Sequence, residues 1–412
     1  MLPFGVLGLI IMSTKAQSFP PNFLWGTATA AHQVEGNNTN NDWWAWEHAE
    51  NSPCAEPSGD CCDQFTLYPS DIKLIADLGL QAYRFSVEWA RIEPAEGEFS
   101  MAALRHYKRV VDACIENSIA PIVTLHHFTT PQWVAAKGGW ENAATADLFA
   151  RFSEKVARFL GDDVARWCTI NEPNMVSTIG YLVGQFPPGK RDRSARDRVN
   201  EVFCDAHRKS RDAVKSVSSR PVGLTLAMAE FQVVGEGEDL VRAEAHRQRG
   251  FDGLETPFLE AVRGDDFFGV QTYTRERYSA SGRMAPDPDA QLTIMGYEYY
   301  PQALEATIRR AHIETGGVPI MVTENGIAVV NDHERVEYVT EALQCVLRCI
   351  ADGIAVEGYM YWSLLDNFEW AYGYGPTFGL VGVNRDSQER SVKPSARWLG
   401  DVAKANALLP FS

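Results

Sequence analysis

Two acidic residues stand where their type and context point to chemistry. Glu172 lies in Thr-Ile-Asn-Glu-Pro (169–173) and Glu324 in Thr-Glu-Asn-Gly (323–326), each at the end of a short apolar run. Two carboxyl groups flanking a cleft can cleave a glycosidic bond: one protonates the departing oxygen while the other stays ionised and attacks. Burial and charged neighbours would separate their pKa values. Either Glu alone could be a cap or half of an ion pair; the two together, among aromatic residues, point to a site. Arg84 is a lone charge within Tyr-Arg-Phe-Ser-Val (83–87). If it faces inward it needs a carboxylate, and a structural ion pair would serve as well as a nucleophile. His126 and His127 point to opposite sides of a continuous strand, so at most one faces a ligand. Phe128, Trp362 and Trp370 have flat faces that suit the C–H surface of a sugar, or a core. Gln33 and Glu369 are planar groups able to bind adjacent hydroxyls. No zinc-type Cys/His spacing and no Gly-rich phosphate loop occurs, so neither a metal nor a cofactor is expected.

These residues need a frame. Eight apolar runs read as strands: Phe23–Ala28, Ala82–Val87, Ala120–Leu125, Arg166–Ile170, Val222–Met228, Phe267–Thr272, Pro319–Thr323 and Gly358–Ser363. Helical periodicity fills the intervals, as in Leu104-x-x-Tyr107-x-x-Val110-Val111-x-x-Cys114-Ile115, and again in 149–160, 200–213, 300–314 and 335–351. Such alternation builds a parallel sheet, and eight repeats favour a closed α/β barrel, a single (β/α)8 TIM barrel, over an open doubly wound sheet. Polar and aromatic residues follow the strands at one end: His126-His127, Asn171-Glu172, Gln271 with Tyr273, Glu324-Asn325, and Trp362 with Asp366, Asn367 and Glu369. In a barrel these C-terminal ends open onto one face.

The chain has 412 residues, of which 45% are hydrophobic and 22% charged, excluding a disordered or multi-span membrane protein. A net charge of -16 disfavours nucleic acid and anionic membranes as partners. Eight scattered cysteines do not form a small secreted disulfide scaffold, and a cytoplasmic location is expected. Residues 1–18 are expected to be a disordered tail or to precede the true start, with Met12 an alternative first residue. Met1 to Ile11 carry no Lys or Arg, and no Ala-x-Ala-like cleavage site follows. Residues 19–412 are expected to form one catalytic barrel. The sequence does not set the oligomeric state.

The chain resembles the family 1 glycoside hydrolases, retaining β-glucosidases and β-galactosidases on a (β/α)8 barrel. The resemblance runs from about Phe19 to about Leu399. It rests on Phe-Leu-Trp-Gly-Thr-Ala-Thr-Ala-Ala-His-Gln-Val-Glu-Gly (23–36), Tyr-Arg-Phe-Ser (83–86), Thr-Ile-Asn-Glu-Pro (169–173), Thr-Glu-Asn-Gly (323–326) and Trp-Ser-Leu-Leu-Asp-Asn-Phe-Glu-Trp (362–370), in that order. It implies Glu172 as acid/base and Glu324 as nucleophile, with Arg84 and Tyr273 supporting the nucleophile and Asn171 on the sugar O2. It implies a substrate wall of Gln33, His127, Phe128, Gln271, Trp362, Glu369, Trp370 and Phe378. The implied partners are small β-glycosides or short β-linked oligosaccharides, and the implied activity is exo-acting β-glucosidase.

Departures from the family pattern bear on that expectation. Gln271-Thr272 stands where most members have Asn-Tyr, so a longer amide must pivot to reach the same partner. His127-Phe128-Thr129 replaces His-Trp-Asp. The Trp-x-Asp-Pro and Gly-x-Tyr-Pro segments are absent around 229–265, where a shortened loop is expected to alter the aglycone entrance. A carboxylate at Glu369 argues against 6-phosphosugars, and the retained Glu172 against thioglucosidases. A β-galactosidase or β-fucosidase preference, net transglycosylation, a longer β-glucan groove and a non-catalytic sugar-binding member are the alternatives.

Overall fold

In the computed structural model, which describes residues 18–410, eight parallel strands close into a barrel. They are β1 (Leu24–Ala28), β2 (Ala82–Ser86), β3 (Ala120–His127), β4 (Arg166–Asn171), β5 (Val222–Ala227), β6 (Phe267–Gln271), β7 (Ile320–Asn325) and β8 (Val356–Trp362). Each pairs with its sequence neighbours, and β8 closes on β1 through registers such as Thr27 opposite Tyr361. All eight expected runs are strands of this barrel. Three reach further than expected: β3 includes His126 and His127, β4 includes Asn171, and β7 includes Glu324 and Asn325. Their polar residues are therefore held by ladder hydrogen bonds and not by loops.

Each strand is followed by a covering helix: α1 (Gln64–Leu78), α2 (Met101–Glu116), α3 (Ala144–Leu160), α4 (Arg193–Lys215), α5 (Gly237–Leu254), α6 (Ala303–Thr315), α7 (Asp332–Ala351) and α8 (Pro394–Ala405). In α2 the residues Leu104, Tyr107, Val110, Val111 and Cys114 are buried, so the period-3.6 stripe faces the sheet. Its first turn is capped by Ser100, whose hydroxyl accepts from the Ala103 amide at 3.2 Å. Inside the barrel, Ala28, Ala82, Ile122, Cys168, Phe267, Met321 and Met360 pack as an apolar plug. The polar strand ends sit above it.

The segment 229–265, where a shortened loop is expected, is built of regular elements. It holds a strand, Glu230–Val233, the 18-residue helix α5 and a second helix, Thr256–Ala261. The strand pairs with Arg275–Ser279 to form a small side sheet. Only Ala243 and Phe251 of α5 are buried, which is why its apolar pattern is faint in the sequence. Ser18 bridges Ala407, and the rest of the expected N-terminal extension lies outside the described residues.

Candidate active site

A cavity of about 490 Å³ opens at the C-terminal ends of the strands, the face where barrel enzymes build their sites. Gln33, His127, Phe128, Asn171, Glu172 and Tyr273 line it, together with Glu324, Trp362, Glu369, Trp370 and Phe378. With Ala227 at the end of β5, residues from seven of the eight strand exits converge on one space.

The local backbone explains how the two acids are aimed. Glu172 follows β4 in a left-handed conformation (φ 42°, ψ 56°), and Pro173 opens the short helix Pro173–Ser177 behind it. Proline suits a first helical position, so Asn-Glu-Pro ends the strand and turns Glu172 toward the mouth. Phe128 (φ 71°) and Trp370 (φ 52°) also adopt positive φ on this wall. Non-glycine residues held this way cluster at functional sites. Glu324 instead sits within β7. The next strand end comes close because residue 326 is glycine: a Cβ there would lie 2.0 Å from the Trp362 carbonyl oxygen.

The two carboxyl groups have opposite surroundings. Arg84 Nη1 donates to Glu324 Oε1 at 2.6 Å, and the Tyr273 hydroxyl donates to Glu324 Oε2 at 2.7 Å. The Glu172 carboxyl has no hydrogen bond from any described residue, although the residue is only 9% exposed. Burial raises both pKa values. At Glu324 the Arg84 charge and the Tyr273 hydrogen bond oppose that rise. At Glu172 the charges of Glu324 and Glu369 reinforce it, so its pKa lies well above the ordinary value. Glu172 is therefore the better proton holder and Glu324 the better anion.

Asn171 and His127 are fixed by one network. Asn171 Oδ1 accepts from Arg84 Nη2, from Gln271 Nε2 at 2.9 Å and from Thr225 Oγ1 at 3.1 Å. Three donors set the orientation of the amide. Its Nδ2 therefore donates to His127 Nε2, at 3.1 Å. Burial and the nearby Arg84 charge hold His127 well below its usual pKa, so the ring is neutral. With Nε2 accepting, the proton sits on Nδ1, which has no partner among the described residues. A neutral His with a free N–H at a cavity wall is a donor for a hydroxyl. Gln33 gives the complementary acceptor. Its Nε2 donates to the Phe368 carbonyl at 2.8 Å and to Glu369 Oε2 at 3.4 Å, while its buried Oε1 is unpaired. Burial and the Glu324 charge push the Glu369 pKa up to about 8. The rings of Trp362 and Trp370 lie nearly parallel to His127, at 5.8 and 6.2 Å.

One expectation needs correction. Gln271 does not line the cavity. It is fully buried beneath Asn171, because its longer side chain spends its amide on Asn171 Oδ1. Arg84 is likewise buried beneath the floor, where it grips Glu324 and Asn171. His126 points outward, against Trp140 and Phe149, as strand alternation requires. The sequence reading missed the outer wall, which includes Met175, Ile179, Phe186, Met295, Tyr297 and Tyr372. The spacing of Glu172, Met175 and Ile179 along one helical face was the available signal. Residues 229–265 contribute nothing to the cavity lining. Among the described residues, no group of three or more His, Cys, Asp or Glu could hold a metal ion, and no helix is long and apolar enough to cross a membrane.

Comparison with known proteins agrees with this geometry. The sequence profile of glycosyl hydrolase family 1 matches residues 15–265 and 260–408. Beta-glucosidase A of Acetivibrio thermocellus is 32% identical, over 94% of this chain and 99% of its own. The crystal structure of the β-glycosidase BGL167 is 45% identical, with a TM-score of 0.87 over 95% of this chain and 98% of that one. The family 1 β-glucosidase of Thermotoga maritima in complex with isofagomine lactam is 30% identical, with a TM-score of 0.88 over 95% of this chain and 100% of that one.

Proposed function

The chain belongs to glycosyl hydrolase family 1 and is a retaining β-glycosidase; on that premise we propose that it is an exo-acting β-glucosidase using Glu324 as nucleophile and Glu172 as acid/base. The observation that carries the assignment of roles is the asymmetry of the two carboxyls: Glu324 has two donors and Glu172 none. Glu324 attacks the anomeric carbon while Glu172 gives its proton to the leaving oxygen. The glycosyl-enzyme has inverted, α, configuration. Glu172, now ionised, takes a proton from water, which displaces Glu324 and releases the β-sugar. Arg84 and Tyr273 keep Glu324 anionic before attack and stabilise it again as it leaves.

The glycone contacts suit an unmodified hexose such as glucose. His127 Nδ1–H, the Gln33 carbonyl and the Glu369 carboxyl present a donor, an acceptor and a group able to be either. Asn171, held by three donors, faces the position of the sugar O2, where contact strengthens toward the oxocarbenium-like transition state. An additional phosphate would meet no cationic side chain in the cavity lining. The two relatives named as β-glucosidases support the same choice. The substrates are small β-glucosides. A cytoplasmic site of action is supported by eight cysteines that are all free thiols.

A panel of 4-nitrophenyl β-glycosides tests the glycone. The glucoside should have the highest kcat/KM, with the fucoside within about tenfold and the 6-phosphoglucoside at least about a thousandfold lower. A galactoside or xyloside preferred over the glucoside by more than tenfold would overturn the reading.

A further inference from the structure

The outer half of the cavity has a chemistry unlike that of the inner half. The short helix that begins after Glu172 continues into a π-helical stretch, Thr178–Val183. Glu172, Met175 and Ile179 lie one turn apart and all line the cavity. The group that Glu172 protonates must therefore leave along Met175 and Ile179. Phe186 extends the same wall, and Met295 and Tyr297 stand on the loop after β6. Tyr372 lies on the turn that follows Trp370 and also lines the cavity. Both tyrosines are partly open to solvent, Tyr297 at 36% and Tyr372 at 54%.

This wall holds no charged side chain, and its one amide is the exposed Gln185. The inner half, by contrast, concentrates Glu172, Glu324, Glu369, Gln33, Asn171 and His127. The outer wall is also firmly built. The Tyr297 loop closes on itself through Thr293 N to Tyr297 O at 2.8 Å. Its neighbour Glu298, almost fully buried, accepts from Arg275 Nε at 2.6 Å and from the Asp287 amide at 3.1 Å.

We infer that the leaving group of the natural substrate is an aryl or long alkyl alcohol, not a second sugar. The inference rests on the glycosidase reading above and names its substrate class. A second sugar placed here would give up water at several hydroxyls and find few protein partners in return. An apolar aglycone would cover Ile179 and Phe186 and lie against the tyrosine rings. Met175 and Met295 are unbranched and adapt their shape, so aglycones of different outline fit the same wall.

The test compares kcat/KM for 4-nitrophenyl β-glucoside, for n-alkyl β-glucosides from butyl to octyl below their micellar concentrations, and for cellobiose. Along the alkyl series the intrinsic leaving-group ability is nearly constant, so a rise reports contact with the wall. The expected rise is about two- to fourfold per methylene, the upper figure being that of a fully buried CH2. Octyl glucoside should exceed cellobiose by at least about a hundredfold. In the double variant Ile179→Ser/Tyr372→Ser the alkyl slope should flatten. A flat alkyl series in the wild-type enzyme, or cellobiose equal to or better than octyl glucoside, overturns the inference and leaves the glycosidase reading standing. Loss of activity on all of these substrates overturns both.

Discussion

Replacing Tyr273 with Phe deletes the 2.7 Å hydrogen bond from the phenol to Glu324 Oε2 and leaves the ring where it is. The ring packs edge-on against Phe378 at 5.9 Å, and its backbone carbonyl accepts from the Tyr338 hydroxyl at 2.7 Å. Neither contact involves the lost oxygen. A hydrogen bond to a charged group contributes about 1.5–3 kcal/mol, equivalent to roughly 10- to 150-fold in rate. Arg84 still holds the other carboxylate oxygen, so the lower end of that range is expected, about tenfold. The loss falls unevenly on the two steps. When the glycosyl-enzyme forms, Glu324 gives up its charge; when it breaks down, Glu324 regains the charge and needs the donor. Breakdown should therefore slow more than formation. With 2,4-dinitrophenyl β-glucoside, stopped-flow traces should show a burst of one equivalent of phenolate, kcat should fall about tenfold, and KM should fall with it. The acidic limb of kcat/KM should move to higher pH, because the hydrogen bond lowers the Glu324 pKa and its removal raises it. An unchanged kcat with no burst and an unmoved acidic limb would refute this account of Tyr273.

Four further outcomes are expected. Glu172→Gln should lower kcat/KM for alkyl glucosides by about 10²- to 10⁴-fold, the usual worth of general acid catalysis, while burst formation with the dinitrophenyl substrate stays within about tenfold; an equal loss on both would deny the acid role. The same variant should lose the alkaline limb of its pH profile, since that limb reports a carboxyl raised by burial and by Glu324. Gln271→Leu should reduce kcat/KM about tenfold on a glucoside and much less on the 2-deoxyglucoside, because Gln271 acts through Asn171 Oδ1; equal losses on the two would show that it acts elsewhere. His126 is buried with both nitrogens unpartnered, and its pKa is pushed down to about 3. The unfolded side chain binds its proton near pH 6.5. Between those values the unfolded state holds more protons, so stability falls as pH drops. His126→Leu removes that term, and urea unfolding at pH 7 and pH 5 should show the variant gaining on the wild type by about 2 kcal/mol over the interval. Parallel pH dependence in the two proteins would contradict it.

The barrel was legible because parallel strands buried on both faces are written as near-continuous apolar runs, such as Pro121–Leu125 ahead of His126-His127. The two carboxyls were legible because strand exits in this architecture share one face. What escaped has a physical reason in each case. Helix α5 buries two residues of eighteen, so its periodicity hardly differs from that of a solvated loop. Gln271 has the residue type of a ligand contact, yet its direction is decided by the amide oxygen of Asn171, two strands away in the barrel and 100 positions away in sequence. The outer wall is made of Met, Ile, Phe and Tyr, side chains that a sequence cannot separate from core. Only the placement of Met175 and Ile179 along the face that starts at Glu172 reveals them. The left-handed turns at Phe128, Glu172 and Trp370 are invisible in residue type, since none is glycine.

Nucleophilic attack by Glu324 requires a covalent bond between its carboxylate and the anomeric carbon of the sugar. Incubation with 2,4-dinitrophenyl 2-deoxy-2-fluoro-β-D-glucoside slows breakdown more than formation and traps that species. Peptic digestion and tandem mass spectrometry then locate the fluoroglucosyl group. Stoichiometric labelling is expected on the Glu of the peptide Met-Val-Thr-Glu-Asn-Gly (321–326), with release of one dinitrophenolate per chain. A label on Glu172 or Glu369, or continued turnover with no label at all, would contradict it.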